Sequence, residues 1–187
     1  MRRFRSKPKQ DSEVSLDGGD DAGAKERSTE IAAVRLLGRR EHSSRELKRK
    51  LAGKGHEQDA VERVVDNLVE KELVSDERFA TSFVAYQGGR GHGPVRIRAE
   101  LRQKGATDEA INSALAASDH DWTEIAVAVR SRKFGEQLPG SRAERAKQAR
   151  FLQYRGFSTD QIRAAMASMA GSTSVSALSD SDFDDSN

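Results

Sequence analysis

The sequence predicts an all-α protein in which three tandem three-helix units form an elongated array. Apolar residues recur at helical spacing along the chain, and helix-start and helix-stop residues separate the apolar segments. One five-residue pattern occurs three times, and its glycines lie 50 and 51 residues apart. This period indicates stacked units that are each too small to bury an apolar face alone. The matching residues are Leu51, Lys54, Gly55, Val61 and Val65, then Leu101, Lys104, Gly105, Ile111 and Leu115, then Leu152, Arg155, Gly156, Ile162 and Met166.

The middle unit, expected at residues 76–118, shows the pattern most clearly. The glycine-rich residues 88–93 separate its first helix from its second, and Pro94 suits the first turn of that second helix. Gly105 ends the second helix as a left-handed C-cap, and we expect positive φ at Gly55 and Gly156 as well. The apolar faces of the three helices are predicted from Phe79, Ala80, Phe83 and Val84, from Ile97 and Leu101, and from Ala110, Ile111, Ala114 and Leu115.

The first unit is expected at residues 29–75. The apolar stripe of its first helix is assigned to Ile31, Val34 and Leu37, with Ala33. Ser43 and Glu46 fit a capping box, which predicts that the second helix begins there. Leu47 and Leu51 are expected to face the core of the unit, and Gly55 to stop the helix.

The third unit, expected at residues 119–170, departs from the repeat. Gln148 stands where the other units have the inward-facing Leu47 and Ile97, and Ala149 stands where they have the basic Lys48 and Arg98. Trp122 is predicted to face the core. Capping pairs at Asp121 and Glu124, Ser141 and Glu144, and Ser158 and Gln161 predict where its helices begin.

The two ends of the chain differ from the units in composition. Residues 1–28 are rich in Arg, Lys, Asp, Gly and Ser, and residues 171–187 form a Ser/Asp segment with four acids and no bases. Both segments have few apolar anchors, so both are predicted to be disordered tails. Apolar content is only 35% against 33% charged, so the core between them must be lean.

Several classes of function are excluded or weakly supported. The chain has no cysteine, no apolar run of membrane-spanning length and no signal-peptide core, which favours a cytoplasmic protein away from membranes. The four histidines lack metal-ligand spacing and are interpreted as exposed loop residues. Residues 88–93 lack the Lys–Ser/Thr ending of a phosphate loop and are interpreted as a flexible connector that lets Arg90 move. No catalytic, cofactor or metal residues are predicted.

Charge is sorted by helix, although the net charge is only +2. The second segments at residues 39–54 and 90–104 carry net charges of +5 and +4, whereas residues 56–77 and 106–124 carry −6 and −5. Such sorting creates a directional field that steers a charged partner. Arg98 occupies the repeat position of Lys48, on a face away from the core. The candidate partner- or nucleic-acid-binding residues are Arg45, Lys48, Arg49, Arg90, Arg98, Arg102, Arg145 and Arg150.

The middle unit resembles a known family. Residues 73–105, LVSDERFATSFVAYQGGRGHGPVRIRAELRQKG, are similar to the RecX family, bacterial regulators of the RecA recombinase. Residues 43–55, SSRELKRKLAGKG, and 156–166, GFSTDQIRAAM, resemble it too. The resemblance implies a helical, non-enzymatic protein whose three three-helix units form a curved array. We expect no cofactor and a monomer. Such a protein would bind the RecA filament with single- or double-stranded DNA, inhibit recombinase, ATPase and coprotease activities, and so affect DNA repair and the SOS response.

Two other functions fit the residues. An independent nucleic-acid-binding protein would place its short basic helices directly in a groove. Against this, no helix shows Asn, Gln and Arg together at base-reading positions. A scaffold that binds an acidic protein alone is the third possibility. Comparing affinity for naked DNA with affinity for recombinase-coated DNA separates the three.

Overall fold

Three consecutive units of three helices make up the described part of the chain. The computed structural model describes residues 18–137 and 139–176, and within them every regular element is a helix. The helices pack mainly within their own unit, which confirms the predicted all-α class and its three-fold organisation. Unit 1 comprises α1 (Gly18–Leu37), α2 (Ser44–Ala52) and α3 (Gln58–Glu70); unit 2 comprises α4 (Asp76–Gly89), α5 (Pro94–Lys104) and α6 (Asp108–Ala116); unit 3 comprises α7 (Trp122–Phe134), α8 (Arg142–Arg155) and α9 (Thr159–Ser176).

The tails predicted from composition are too long at both ends. Helix α1 begins at Gly18, well inside the predicted N-terminal tail, and polar residues farther along it contact other parts of unit 1. Lys25 pairs with Glu57 at 2.8 Å, and Thr29 Oγ1 lies 3.0 Å from His56 Nδ1. Helix α9 continues through residues 171–176, which were assigned to the acidic tail. Residues 1–17 and 177–187 lie outside the described residues.

Unit 1 closes around aliphatic side chains. Its buried residues include Leu47 and Leu51 of α2, as predicted, with Val61, Val65 and Leu68 of α3. The stripe predicted on α1 is wrong at Ile31 and Val34, because each is 54% exposed. The prediction is confirmed at Ala33, which is buried, and at Leu37, which packs against the core; Thr29 and Leu36 complete this side of α1. Several apolar residues in a row on α1 made both faces plausible from sequence.

Unit 2 follows the sequence prediction closely. The side chains expected inside are buried or packed against its core. Trp122 also packs there, although it opens the first helix of unit 3. Its predicted core role is confirmed, but the core it fills belongs to the preceding unit. The buried members are Phe79, Ala80, Val84, Ile97, Leu101, Ala106, Ala110, Ile111 and Ala114.

Unit 3 has a smaller core that contains a buried cation. Among the residues whose burial the structure describes, the buried apolar cluster consists of Ala126, Leu152, Phe157 and Ala165. Arg130 of α7 is fully buried, and its Nε donates to Gln148 Oε1 at 2.8 Å. Its other nitrogens donate to the carbonyl oxygens of residues 135 and 137, at 3.3 and 2.5 Å. Gln148 therefore keeps the inward position of the repeat because Arg130 gives its amide a partner.

The helix ends match the predicted caps. Gly55, Gly105 and Gly156 have φ of 88°, 93° and 90°, so the predicted positive φ is confirmed at all three. Ser43 and Ser141 accept hydrogen bonds from the amides three residues later, and Ser158 forms the full reciprocal box with Gln161. Local capping chemistry thus sets where the units turn.

Candidate partner-binding surface

The second helices of the units meet end to end. The Ser43 hydroxyl at the start of α2 donates to the carbonyl of Lys104 at the end of α5, at 2.6 Å. The amides of Gly93 and Val95 at the start of α5 donate to the carbonyls of Arg155 and Gly156 at the end of α8, at 2.9 and 3.0 Å. Each contact satisfies helix-end groups that would otherwise lack partners. We call α8, α5 and α2 together the second-helix file; at 1.5 Å per residue it contains about 50 Å of helix.

Two of the capping glycines are required by these contacts as well as by their backbone angle. A Cβ on Gly105 would overlap the side chain of Arg45, and a Cβ on Gly156 would overlap Arg96. Gly55 has nothing within 4 Å of that position, because no unit precedes unit 1 in the described chain. The repeated glycine therefore ends a helix with positive φ in all three units. At Gly105 and Gly156 it also allows the neighbouring unit to pack closely.

The structure brings the predicted binding residues together on the second-helix file. Seven of the eight lie on its helices, and the eighth, Arg90, ends α4 just before α5. Their side chains divide into two groups. Four make a polar contact inside their own unit: Lys48 with Asp66 at 2.8 Å, Arg98 with Asn112 Oδ1 at 2.5 Å, Arg102 with Asp108 at 2.7 Å and Arg90 with the Tyr86 hydroxyl at 2.7 Å.

These contacts explain part of the charge sorting. Lys48 and Arg102 each reach from a basic second helix to an acid on the third helix of the same unit. The Arg102 guanidinium lowers the pKa of the Asp108 carboxyl by hydrogen bonding and charge. Both partners in the Arg102–Asp108 pair are more than half exposed, so solvent screens it. Charge sorting, which predicts an external charged partner, thus also joins helices within a unit.

The other four predicted residues are exposed. Their side chains make no hydrogen bond or ion pair with another residue of the described chain. Exposed guanidinium groups of this kind are the ones available to phosphates or carboxylates of a partner. They are Arg45, Arg49, Arg145 and Arg150.

A buried carboxylate that the sequence pattern does not predict lies where units 1 and 2 meet. We call this contact, made by Arg40, Glu46, Lys50 and Lys104, junction 1–2. The Glu46 side chain is 3% exposed and lies 2.7 Å from Arg40, 3.8 Å from Lys50 and 3.7 Å from Lys104. Burial raises the pKa of Glu46, but the hydrogen bond from Arg40 and the surrounding cations outweigh it, so the pKa is lowered. The capping-box pattern gave Glu46 a different partner and so hid this role.

The contact between units 2 and 3 is built around the glycine-rich loop. Gly88 packs against the His120 ring, Gly91 against Val129, and Gly93 against the backbone of Gly156. All three glycines are buried. The prediction of a flexible connector is therefore wrong, because these glycines lie where unit 3 approaches too closely for a side chain. We call this contact, with Arg90, His92, Arg96, Glu100 and Arg155, junction 2–3.

The interpretation of the histidines as exposed loop residues is also wrong. His42 is buried, and its Nδ1 lies 2.9 Å from the Arg40 carbonyl and its Nε2 3.2 Å from Lys50 Nζ. Burial is the largest cause that lowers the His42 pKa, which agrees with a neutral ring that donates from Nδ1 and accepts at Nε2. The other three are half-buried, and His92 and His120 lie at the contact of units 2 and 3. No group of three metal-ligating side chains lies together among the described residues.

Family models match each of the three units. The first, second and third three-helix domains of RecX match residues 32–68, 75–115 and 119–166. The chain belongs to the RecX family. Among curated relatives, "Regulatory protein RecX" of Halorhodospira halophila is 48% identical over 147 residues, covering 79% of this chain and 91% of that protein. The protein of the same name from Xanthomonas axonopodis pv. citri is 47% identical over 141 residues, covering 75% and 87%.

Solved RecX structures share the fold. RecX from Lactobacillus salivarius aligns with a TM-score of 0.66 at 21% identity, covering 79% of this chain and 98% of that one. A second crystal structure of regulatory protein RecX gives 0.65 at 23% identity, covering 76% and 72%. The predictions of a RecX regulatory protein and of a non-enzymatic function are confirmed by the family. No helix in the described ranges has the length and apolar character that a bilayer crossing requires.

Proposed function

We propose that this RecX protein binds the RecA–DNA filament along its second-helix file and inhibits the recombinase, ATPase and coprotease activities of RecA. The observation that carries the proposal is the end-to-end contact of three basic helices. Because the helices meet in this way, basic residues of all three units follow one another along the second-helix file. A filament presents its own repeated surface to such a series, so several weak contacts add along its length.

The chemistry of the file suits a filament better than a single small ligand. Its exposed arginines fit phosphates of single- or double-stranded DNA and carboxylates of the RecA surface. A protein lying along the filament would obstruct its growth and the movements that accompany ATP turnover. This proposal places the protein in the bacterial cytoplasm, acting as a monomer, where it would restrain recombination and the SOS response.

The test replaces two charges on α5. Because Asp108 lies beside Arg102, the neutral variant Arg98→Gln/Arg102→Gln is preferable to a double Glu variant, which would add repulsion. We expect inhibition of filament ATPase to require about tenfold more of this variant than of wild type. The salt dependence of filament binding should flatten by a slope of about 2, one unit per lost phosphate contact. Far-UV circular dichroism should show unchanged helicity, since both residues lie off the core.

Arg35→Gln/Arg132→Gln is the matched control, because it removes two exposed charges from α1 and α7, outside the file. An equal loss of ATPase inhibition in this control would show that only the net charge of the protein matters. If the α5 variant inhibits as well as wild type while folded, α5 is not part of the binding surface. Wild-type binding to RecA-coated and naked DNA at matched salt gives the remaining comparison, and equal affinities would favour an independent DNA-binding protein.

A further inference from the structure

The two junctions between units place their carboxylates differently. The repeat aligns Arg40, Glu46 and Lys50 of junction 1–2 with Arg90, Arg96 and Glu100 of junction 2–3. Lys104 and Arg155 supply the cation from the following unit in each case. Both sets contain three cations and one carboxylate. In junction 1–2 the carboxylate, Glu46, is buried and lies within 4 Å of all three cations.

In junction 2–3 the position of that central carboxylate is taken by a guanidinium, Arg96. The only carboxylate, Glu100, accepts from Arg96 Nε at 2.7 Å and from the Gln87 amide at 2.6 Å. Neither Arg90 nor Arg155 has a carboxylate within 4 Å in the described chain. Arg90 bonds the Tyr86 hydroxyl, and Arg155 lies over the Phe151 ring at 5.3 Å. The one carboxylate of this junction is therefore paired with Arg96 alone, whereas Glu46 in junction 1–2 is shared by three cations.

The backbone brings the three arginines close to the half-buried His92, which lies two residues after Arg90 and next to Gly93. Burial is the largest cause that lowers the pKa of His92, and the charges of Arg96, Arg155 and Arg90 lower it further, whereas the charge of Glu100 raises it. The backbone supports the same placement, since the Gly93 amide bonds the Arg155 carbonyl and Arg96 packs against Gly156. The amides at the start of α5 are already bonded to α8, so an incoming anion would meet side chains here.

Two exposed aromatic rings adjoin this cluster. The chain has only two tyrosines, Tyr86 and Tyr154, and they are 60% and 81% exposed. Tyr86 carries the Arg90 guanidinium 5.4 Å above its ring, and Tyr154 directly precedes Arg155. Exposed rings beside guanidinium groups are the combination by which proteins bind single-stranded nucleic acid, through stacked bases and backbone phosphates.

We propose that junction 2–3 binds a phosphodiester of single-stranded nucleic acid through Arg90, Arg96 and Arg155, with neighbouring bases stacked on Tyr86 and Tyr154. The external phosphate neutralises cations of junction 2–3, as the Glu46 carboxylate does inside junction 1–2. This proposal deepens the proposed function, because it assigns one strand of the filament's DNA to a particular contact between two units. It does not depend on RecA being present.

The test uses the full chain and a fluorescein-labelled oligothymidylate of about eight nucleotides, a length within the usual range of such sites. Fluorescence anisotropy should show that Arg90→Gln/Arg155→Gln weakens binding about tenfold or more. The control Arg35→Gln/Arg132→Gln should weaken it less than about threefold. Tyr154→Ala should cost roughly fivefold or more, and Tyr154→Phe should bind like wild type because it keeps the stacking ring.

Competitors identify the chemistry of the ligand. Excess unlabelled oligothymidylate should displace the probe, and inorganic phosphate at the same phosphate concentration should not. Equal losses in the site and control variants overturn the site, and so does an unchanged affinity in a folded Arg90→Gln/Arg155→Gln protein. If Tyr154→Ala binds the probe like wild type and phosphate competes efficiently, the site binds anions in general, and the nucleic-acid assignment is overturned. If polyglutamate competes as well as the oligonucleotide does, the ligand of this junction is an acidic protein instead. Because RecA is absent, failure here leaves the ATPase test of the proposed function unaffected.

Discussion

Units 1 and 3 have the same order of helices but stabilise it differently. In unit 1 the inward position of the second helix holds Leu47 in an aliphatic core, whereas unit 3 places Gln148 there and buries Arg130 against it. The capping glycine of unit 1 is open, whereas that of unit 3 is packed against unit 2. The comparison shows that the repeat conserves which way a position faces, while the chemistry at that position depends on what another helix brings to it.

The largest effect should separate the two capping glycines. Gly156→Ala adds a Cβ that overlaps the backbone of Arg96 at a residue with φ of 90°. We expect it to lower the free energy of unfolding by about 3 kcal/mol or more, since overpacking adds to backbone strain. Gly55→Ala has the same strain without the overlap and should cost about 1 kcal/mol. Urea denaturation of both variants measures the difference, and equal losses would show that the joint between units 2 and 3 adds nothing to the requirement for glycine.

The buried pair of unit 3 should behave as one element. Arg130→Met leaves the Gln148 amide oxygen without its donor, so we expect a loss of about 2–3 kcal/mol in the free energy of unfolding. Adding Gln148→Leu restores the apolar pattern of unit 1, and the double variant should return to within about 1 kcal/mol of wild type. Thermal denaturation of the two single variants and the double variant gives this coupling. Additive losses would contradict it.

The smallest effect concerns the repeat position occupied by Glu46 in unit 1 and by the exposed Lys147 in unit 3. Glu46→Gln removes a buried charge that cations surround, and we expect it to cost about 1–2 kcal/mol at pH 7. Lys147→Gln should have no measurable effect.

The Glu46 effect should also depend on pH. Because the folded-state pKa of Glu46 lies below its ordinary value, its stabilisation is complete above about pH 5 and is lost as the pH falls through the lowered pKa. Denaturation at pH 7, 5 and 3.5 should show the gap between wild type and Glu46→Gln closing at low pH. A gap that stays constant across this range would mean that the carboxylate charge is not what stabilises junction 1–2.

The sequence alone determined the features that depend on neighbours within a few residues. Helix periodicity, capping serines and left-handed glycines act over one or two turns, so three units, their caps and most of the core of unit 2 were predictable. The basic character of the second helices was predictable for the same reason. The family could be recognised because the middle unit preserves these local signals together.

Only the tertiary structure decided which distant residues meet. Arg130 and Gln148 are 18 positions apart, and Ser43 and Lys104 are 61 apart, so no local pattern indicates either contact. The packing of units also reversed two local interpretations. The glycine-rich loop is closely packed between units 2 and 3, and the Glu46 side chain binds cations in place of the amides at the start of its own helix. The physical reason is that burial and charge pairing depend on the approach of whole helices, which a sequence encodes only through the complete packing.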